Sequence, residues 1–238
     1  LMSKKKVLVT GGAGFIGSWL CKVLADSGRQ VIAFDDLSSG EESNLENLNN
    51  VSLIKGDIRK HADLSKIPWA DISDCYHLAA RGDVQESIEN PLLYTSVNIV
   101  GTHNILENCR AWNIPILFMS TCMVYGFNSY QKIANDGINE EFPTLPISPY
   151  GASKLACEGY CKAFSSSFGL HTTIFRFANV IGEFSAHKKG VINIGGKAQT
   201  IFDFAKKYNK KIKKSNSKGQ LPLKMDMNLS KMRKLLKI

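Results

Sequence analysis

Short apolar runs and longer amphipathic stretches alternate along most of the chain. Runs rich in β-branched residues at 6–10, 30–35, 51–55, 74–78, 116–120 and 172–177 predict six strands. Helical patterns fall between them at 15–27, 92–112 and 150–168. Within 92–112, Leu93, Val97, Val100, Ile105 and Leu106 recur at helical spacing and predict one helix with an inward stripe. Strands alternating with helices are the pattern of βαβ units, so the expected fold class is α/β with a doubly wound parallel sheet.

Composition narrows this picture. The 238 residues allow one ordinary domain, or a large domain with a small appendage. With 44% hydrophobic and 21% charged residues, the chain is expected to be globular. No apolar run approaches the roughly 18 residues that span a bilayer. Val7-Leu8-Val9, after the opening lysines, is too short for a signal-peptide core. A cytoplasmic protein with no membrane partner is the expectation. The net charge of +9 is uneven: residues 197–238 carry 13 Lys and Arg against 2 acids. They lack the repeated aromatic interleaving of a single-strand binder, so a solvated basic surface is expected and nucleic acid is not. The six cysteines (21, 75, 109, 122, 157, 161) form no C-x-x-C pair, which predicts reduced thiols and no metal site.

Two motifs carry chemistry. The first strand ends in Thr10-Gly11-Gly12-Ala13-Gly14-Phe15-Ile16-Gly17, where a helix begins. Gly11 permits a tight turn, Gly14 a close approach of a pyrophosphate, and Gly17 close packing of helix on strand. An anion would rest on the helix N-terminus. The second strand ends in Asp35, 18 residues after Gly17. A carboxylate there accepts from ribose hydroxyls and repels a 2′-phosphate, which points to NAD over NADP.

The second motif is Tyr150-Gly151-Ala152-Ser153-Lys154, a Tyr and a Lys four apart on one helical face. A phenol with an ordinary pKa of about 10 is a poor base at neutral pH. A nearby ammonium brings it toward working range. Upstream, the strand at 116–120 runs into Ser120-Thr121, and a hydroxyl at that strand's C-terminal end completes a Thr-Tyr-Lys set.

Thr-Gly-x-x-Gly-x-x-Gly resembles the extended branch of the short-chain dehydrogenase/reductase superfamily. Residues 5–192 resemble the nucleotide-sugar epimerases and dehydratases, most of all UDP-glucose 4-epimerases. The resemblance is carried by Asp35-Asp36-Leu37-Ser38-Ser39-Gly40, Gly56-Asp57-Ile58, His77-Leu78-Ala79-Ala80, Asn98-Ile99-Val100-Gly101-Thr102, Ser148-Pro149-Tyr150 and Arg176-Phe177-Ala178-Asn179. It implies a Rossmann-type NAD-binding domain over 1–180 and a smaller, incomplete substrate domain over 181–238. It implies Thr121, Tyr150 and Lys154 as catalytic residues. The cofactor would meet Gly11, Gly14, Phe15, Ile16, Gly17, Asp35, Asp36, Leu37, Ser38, Ser39, Gly40, Asp57, Ile58, Leu78, Ala79, Ala80, Asn98, Ser120, Tyr150, Lys154 and Phe177. Thr121, Tyr150 and Asn179 would meet the substrate.

The implied reaction is NAD-dependent epimerisation at C4 of a nucleotide-linked hexose through a 4-keto sugar. A 4,6-dehydratase, or a non-catalytic NAD-binding protein, is the alternative. Dehydratases and related decarboxylases carry a carboxylate one or two places after the threonine, where this chain has Cys122 and Met123. The resemblance also implies a homodimer through the helices near 92–112 and 150–168. Asn193-Ile194-Gly195-Gly196 resembles a later family segment. About fifty residues are therefore expected between 192 and 193 in the whole protein, because their true loss would open apolar sheet surface and half the sugar pocket.

Overall fold

A computed structural model describes residues 6–126, 138–178 and 180. Six strands, β1 (Lys6–Thr10), β2 (Val31–Asp35), β3 (Val51–Lys55), β4 (Ile72–His77), β5 (Ile116–Thr121) and β6 (Thr172–Phe177), form one sheet. Its order is β3-β2-β1-β4-β5-β6, and every pairing is parallel. Five strands fall within a residue of expectation. β4 begins two residues early, pairing Lys6 with Ile72 before the register shifts, and it stops at His77.

The middles of β1 and β2, Val7-Leu8-Val9 and Val31-Ile32-Ala33-Phe34, are apolar because helices cover both faces of the sheet. Leu8, Ile32 and Phe34 face a core that includes Ile105, Leu106, Phe118, Cys157 and Cys161. Val7, Val9, Val31 and Ala33 face the other way, against Cys21 and Leu24 of α1 (Phe15–Asp26). Helix α2 (His61–Leu64) and α3 (Val84–Glu89) are short. All six cysteines are buried free thiols.

The helix expected over 92–112 has three parts. Helix α4 (Pro91–Tyr94) leads into a π-helical turn at Thr95–Val100, and α5 (Gly101–Ala111) follows. The wider π turn advances the phase of the helix, so Val100, expected on the inner stripe, lies exposed while Ile105 and Leu106 stay buried. Helix α6 (Pro149–Phe168) starts on Ser148, whose hydroxyl accepts from the Gly151 N–H at 3.1 Å, and has Pro149 in its first turn. It ends at Gly169, whose φ of 69° makes the left-handed cap.

His77 stitches the two halves of the sheet together. Its Nδ1 lies 2.6 Å from Thr10 Oγ1 and its Nε2 2.9 Å from Thr102 Oγ1, all buried. Burial, then the charge of Lys154, lowers its pKa to about 3 from the ordinary 6.5. The unfolded chain therefore takes up a proton that the fold refuses. Stability from this group is complete above pH 6.5 and is lost as pH falls toward 3. Denaturant titrations should show a loss of about 2 kcal/mol between pH 7 and pH 5. That slope should flatten in His77→Gln; an equal slope in both proteins would refute the assignment.

Candidate active site

The strand order turns around between β1 and β4, and loops leaving the two strands diverge to opposite faces. Ligands of doubly wound sheets bind at such a switch point, outside the strand C-termini. A cavity of about 540 Å³ lies there. Gly11, Gly14, Phe15, Ile16 and Gly17 line it from the first turn, and Asp35, Asp36, Ser38 and Ser39 follow β2. Ile58, Leu78, Ala79 and Ala80 contribute from the ends of β3 and β4, and Ser120, Thr121, Tyr150, Lys154 and Phe177 close the far side.

The glycine turn is shaped by close approach. Gly11 has a φ of 70°, and a Cβ there would stand 2.7 Å from the Ala79 nitrogen. At Gly17 a Cβ would overlap the Gly11 carbonyl. Helix α1 begins at Gly14 with no side-chain cap, so its first-turn N–H groups face the cavity unshielded by a side chain. Asp35 ties the turn to β2: Oδ2 accepts from the Ala13 N–H at 3.0 Å and Oδ1 from the Leu37 N–H at 2.9 Å. Burial pushes its pKa up, and the Leu37 and Ala13 N–H groups oppose this. Leu37, at a φ of 60°, owes its left-handed turn to that bond. The two neighbouring acids, Asp35 and Asp36, make this end of the cavity hostile to an additional phosphate.

Four expected cofactor contacts sit elsewhere. Leu37 and Gly40 shape the loop after β2 without lining the cavity. At Gly40 a Cβ would press on the Ala13 backbone at 2.7 Å. The Asp57 carboxylate turns onto Arg59, taking Nη2 at 2.6 Å and Nε at 2.9 Å. The Asn98 amide is buried, donating to the Arg81 carbonyl and to Ser153 Oγ and accepting from the Arg81 N–H. It shapes the loop after β4 from behind. Asn179 lies outside the described residues.

At the far side, Thr121 ends β5 and performs two tasks. Its hydroxyl accepts from the Met123 N–H at 3.2 Å, capping the short turn at Cys122–Tyr125, and it lines the cavity together with Tyr150. Tyr150 packs edge-on against Tyr94, with ring centroids 6.2 Å apart. Burial raises the phenol pKa to about 12, Thr121 draws it down, and Cys122 adds to the rise. Lys154 is buried, donates to the Met119 carbonyl at 2.8 Å and lies 4.8 Å over the Phe118 ring. Its pKa falls to about 8 through burial. Thr121 is thus the side chain that draws the phenol down, while the Lys154 ammonium donates to the main chain of β5.

Sequence reasoning missed several lining residues. Phe34, Val97, Met119 and Met123 gave no signal beyond apolarity, whereas Arg81, Asp83 and Glu86 follow β4 and were findable from topology alone. Asp83 also caps α3, accepting from the Glu86 N–H at 2.8 Å, and Glu86 Oε2 accepts from the Tyr94 hydroxyl at 2.8 Å.

A doubly wound sheet with an open glycine turn, an acid after β2 and a Thr-Tyr-Lys set is the frame of a dinucleotide-dependent enzyme class. Residues 7–200 match the model of the NAD dependent epimerase/dehydratase family. The UDP-glucose 4-epimerase of Halalkalibacterium halodurans is 35% identical over 178 residues, covering 74% of this chain and 51% of that protein. The CDP-paratose 2-epimerase of Salmonella typhi is 34% identical over 205 residues, covering 78% and 61%. The Thermus thermophilus UDP-glucose 4-epimerase, solved as a complex with NAD, superposes with a TM-score of 0.69 at 33% identity, covering 77% of this chain and 58% of that one. The chain belongs to the NAD dependent epimerase/dehydratase family. It spans between half and two thirds of the length of these relatives.

Proposed function

We propose that this chain is the NAD-binding part of a nucleotide-sugar epimerase that inverts C4 of a UDP-linked hexose. The observation that carries the reading is the Thr121–Tyr150 pair at the inner end of a cavity whose outer end is the glycine turn and Asp35. Relatives named as UDP-glucose 4-epimerases support the substrate class.

The cavity residues fit NAD. The uncapped start of α1 would hold the pyrophosphate, Asp35 the adenosine ribose, and Lys154 the nicotinamide ribose. When bound, NAD supplies reversible hydride acceptance. Tyr150 moves the proton of the sugar 4-hydroxyl, and Thr121 donates its one hydroxyl proton to O4 as charge develops. Lys154, fixed by the Met119 carbonyl, keeps positive charge beside this chemistry at neutral pH. The 4-keto sugar turns over and is reduced on its other face.

Cys122 and Met123 favour epimerisation over 4,6-dehydration. The Cys122 thiol is buried and pushed up to about 11, and the Met123 thioether lining the cavity carries no proton. In this reading residues 1–180 bind NAD, and 181–238 belong to a domain that holds the sugar nucleotide with Asn179. We extend the proposal to a homodimer: Val100 and Trp112 beside α5, and Tyr160 and Phe168 on α6, are exposed apolar groups on adjacent helices. No helix among the described residues is long and apolar enough to cross a membrane.

The test is the full-length protein mixed with UDP-galactose and no added redox partner, followed by proton NMR. Growth of UDP-glucose to an equilibrium mixture is expected. An unchanged spectrum from folded, NAD-loaded protein would reject this substrate.

A further inference from the structure

Beneath Thr121 lies a buried ion pair that the reaction above does not use. Glu158, on α6 one turn beyond Lys154, and Arg176, on β6, are 1% and 11% exposed at their side chains. The pair is bidentate: Glu158 Oε1 accepts from Arg176 Nε at 2.9 Å, and Oε2 accepts from Nη2 at 2.7 Å. Oε1 also accepts from Ser120 Oγ at 2.6 Å, and Ser120 immediately precedes Thr121. The remaining guanidinium nitrogen, Nη1, donates to the Tyr125 hydroxyl at 2.9 Å and to the Glu140 carbonyl at 3.0 Å. The guanidinium also lies 4.8 Å over the Tyr125 ring.

One pair thus gathers the end of β5, the turn at Cys122–Tyr125, the chain at Glu140, α6 and β6. Stability alone is a poor reason for it, since well-packed apolar residues commonly replace a buried ion pair without loss. Apolar residues could not hold the Ser120 hydroxyl, the Tyr125 hydroxyl and a main-chain carbonyl at fixed positions together. Ser120 and the turn so held flank Thr121, which lines the cavity together with Tyr150.

We propose that Glu158 and Arg176 are positioning residues that fix the depth of the β5 end, so that the Thr121 hydroxyl meets the Tyr150 phenol. Ser120 is the link between the pair and the strand; its hydroxyl faces Glu158, although sequence reasoning assigned it to the cofactor. The proposal rests on the reading of Thr121 and Tyr150 as reacting groups, but its geometric part can be measured without turnover.

The experiment uses full-length protein carrying 3-fluorotyrosine, with the Tyr150 fluorine resonance assigned by its loss in Tyr150→Phe. The variants are the apolar double replacement Glu158→Met with Arg176→Met, and Ser120→Ala. Both should shift the Tyr150 resonance. The double variant should keep NAD binding while kcat falls about 100-fold with KM nearly unchanged, as expected when reacting groups are displaced by about an ångström. Should the double variant fail to fold, Ser120→Ala decides, with a shifted resonance and a kcat loss of about tenfold. An unmoved resonance in Ser120→Ala, or equal losses of kcat, NAD binding and thermal stability, would overturn the proposal. If the parent protein turns over no nucleotide sugar but the resonance still moves, the functional reading fails and the positioning role stands.

Discussion

Tyr150→Phe is expected to lower turnover by between 10² and about 10⁴-fold while the protein keeps its NAD. The substitution removes one oxygen. The ring keeps its edge-on contact with Tyr94, and Thr121 keeps the Met123 N–H as a partner, so the fold has little to lose. What disappears is the phenol that lines the inner end of the cavity beside Thr121 and Lys154. Initial rates on a UDP-hexose, together with the NAD released on denaturation, check this. A variant within tenfold of the parent would transfer the proton-moving role to another residue and sink the mechanism. Loss of bound NAD alongside rate would mean that Tyr150 serves the cavity's shape.

Gly17→Val should abolish NAD binding and destabilise the fold by about 3 kcal/mol, at the upper end for overpacking. A Cβ at this position would overlap the Gly11 carbonyl and stand 2.9 Å from Gly12 Cα, so the obstacle is main chain on two sides. The turn must open, and with it goes the alignment of α1 toward the cavity. Gly159 is the internal control. It lies in α6, with nothing within 4 Å of a would-be Cβ. There Gly159→Ala should gain about 0.5–1 kcal/mol from the lost freedom of the unfolded chain. NAD titration by fluorescence and denaturant melts of both variants test the contrast. Near-normal NAD affinity in Gly17→Val would show that the turn tolerates bulk.

The parallel sheet was legible because strands covered on both faces must be apolar where they are covered, as Val7-Leu8-Val9 and Val31-Ile32-Ala33-Phe34 are. The glycine turn was legible because its requirement is steric and local. Tyr150 and Lys154 could be paired from helical spacing alone. Pairing Thr121 with Tyr150 needed two elements far apart in sequence to meet, and only strand order supplies that. Asn98 shows the limit from the other side. Its motif suggested a contact with cofactor, yet its amide turns to the Arg81 backbone and Ser153, which no pattern within 95–102 encodes. The Glu158–Arg176 pair was invisible for the same reason: a charged residue on an amphipathic helix reads as solvated until the strand opposite it is known.

The π turn at Thr95–Val100 works as a gear between two halves of one rod. Upstream of it the angular setting is dictated by Tyr94, packed edge-on against Tyr150; downstream it is dictated by the core that takes Ile105 and Leu106. A uniform α-helix has one setting and would force a compromise between the two. The wider turn uncouples them, and the Cys157 thiol of α6 donates to the Asn98 carbonyl within it at 3.2 Å. Residues before the gear can therefore follow the Tyr150 side of the cavity, while those after it answer only to packing.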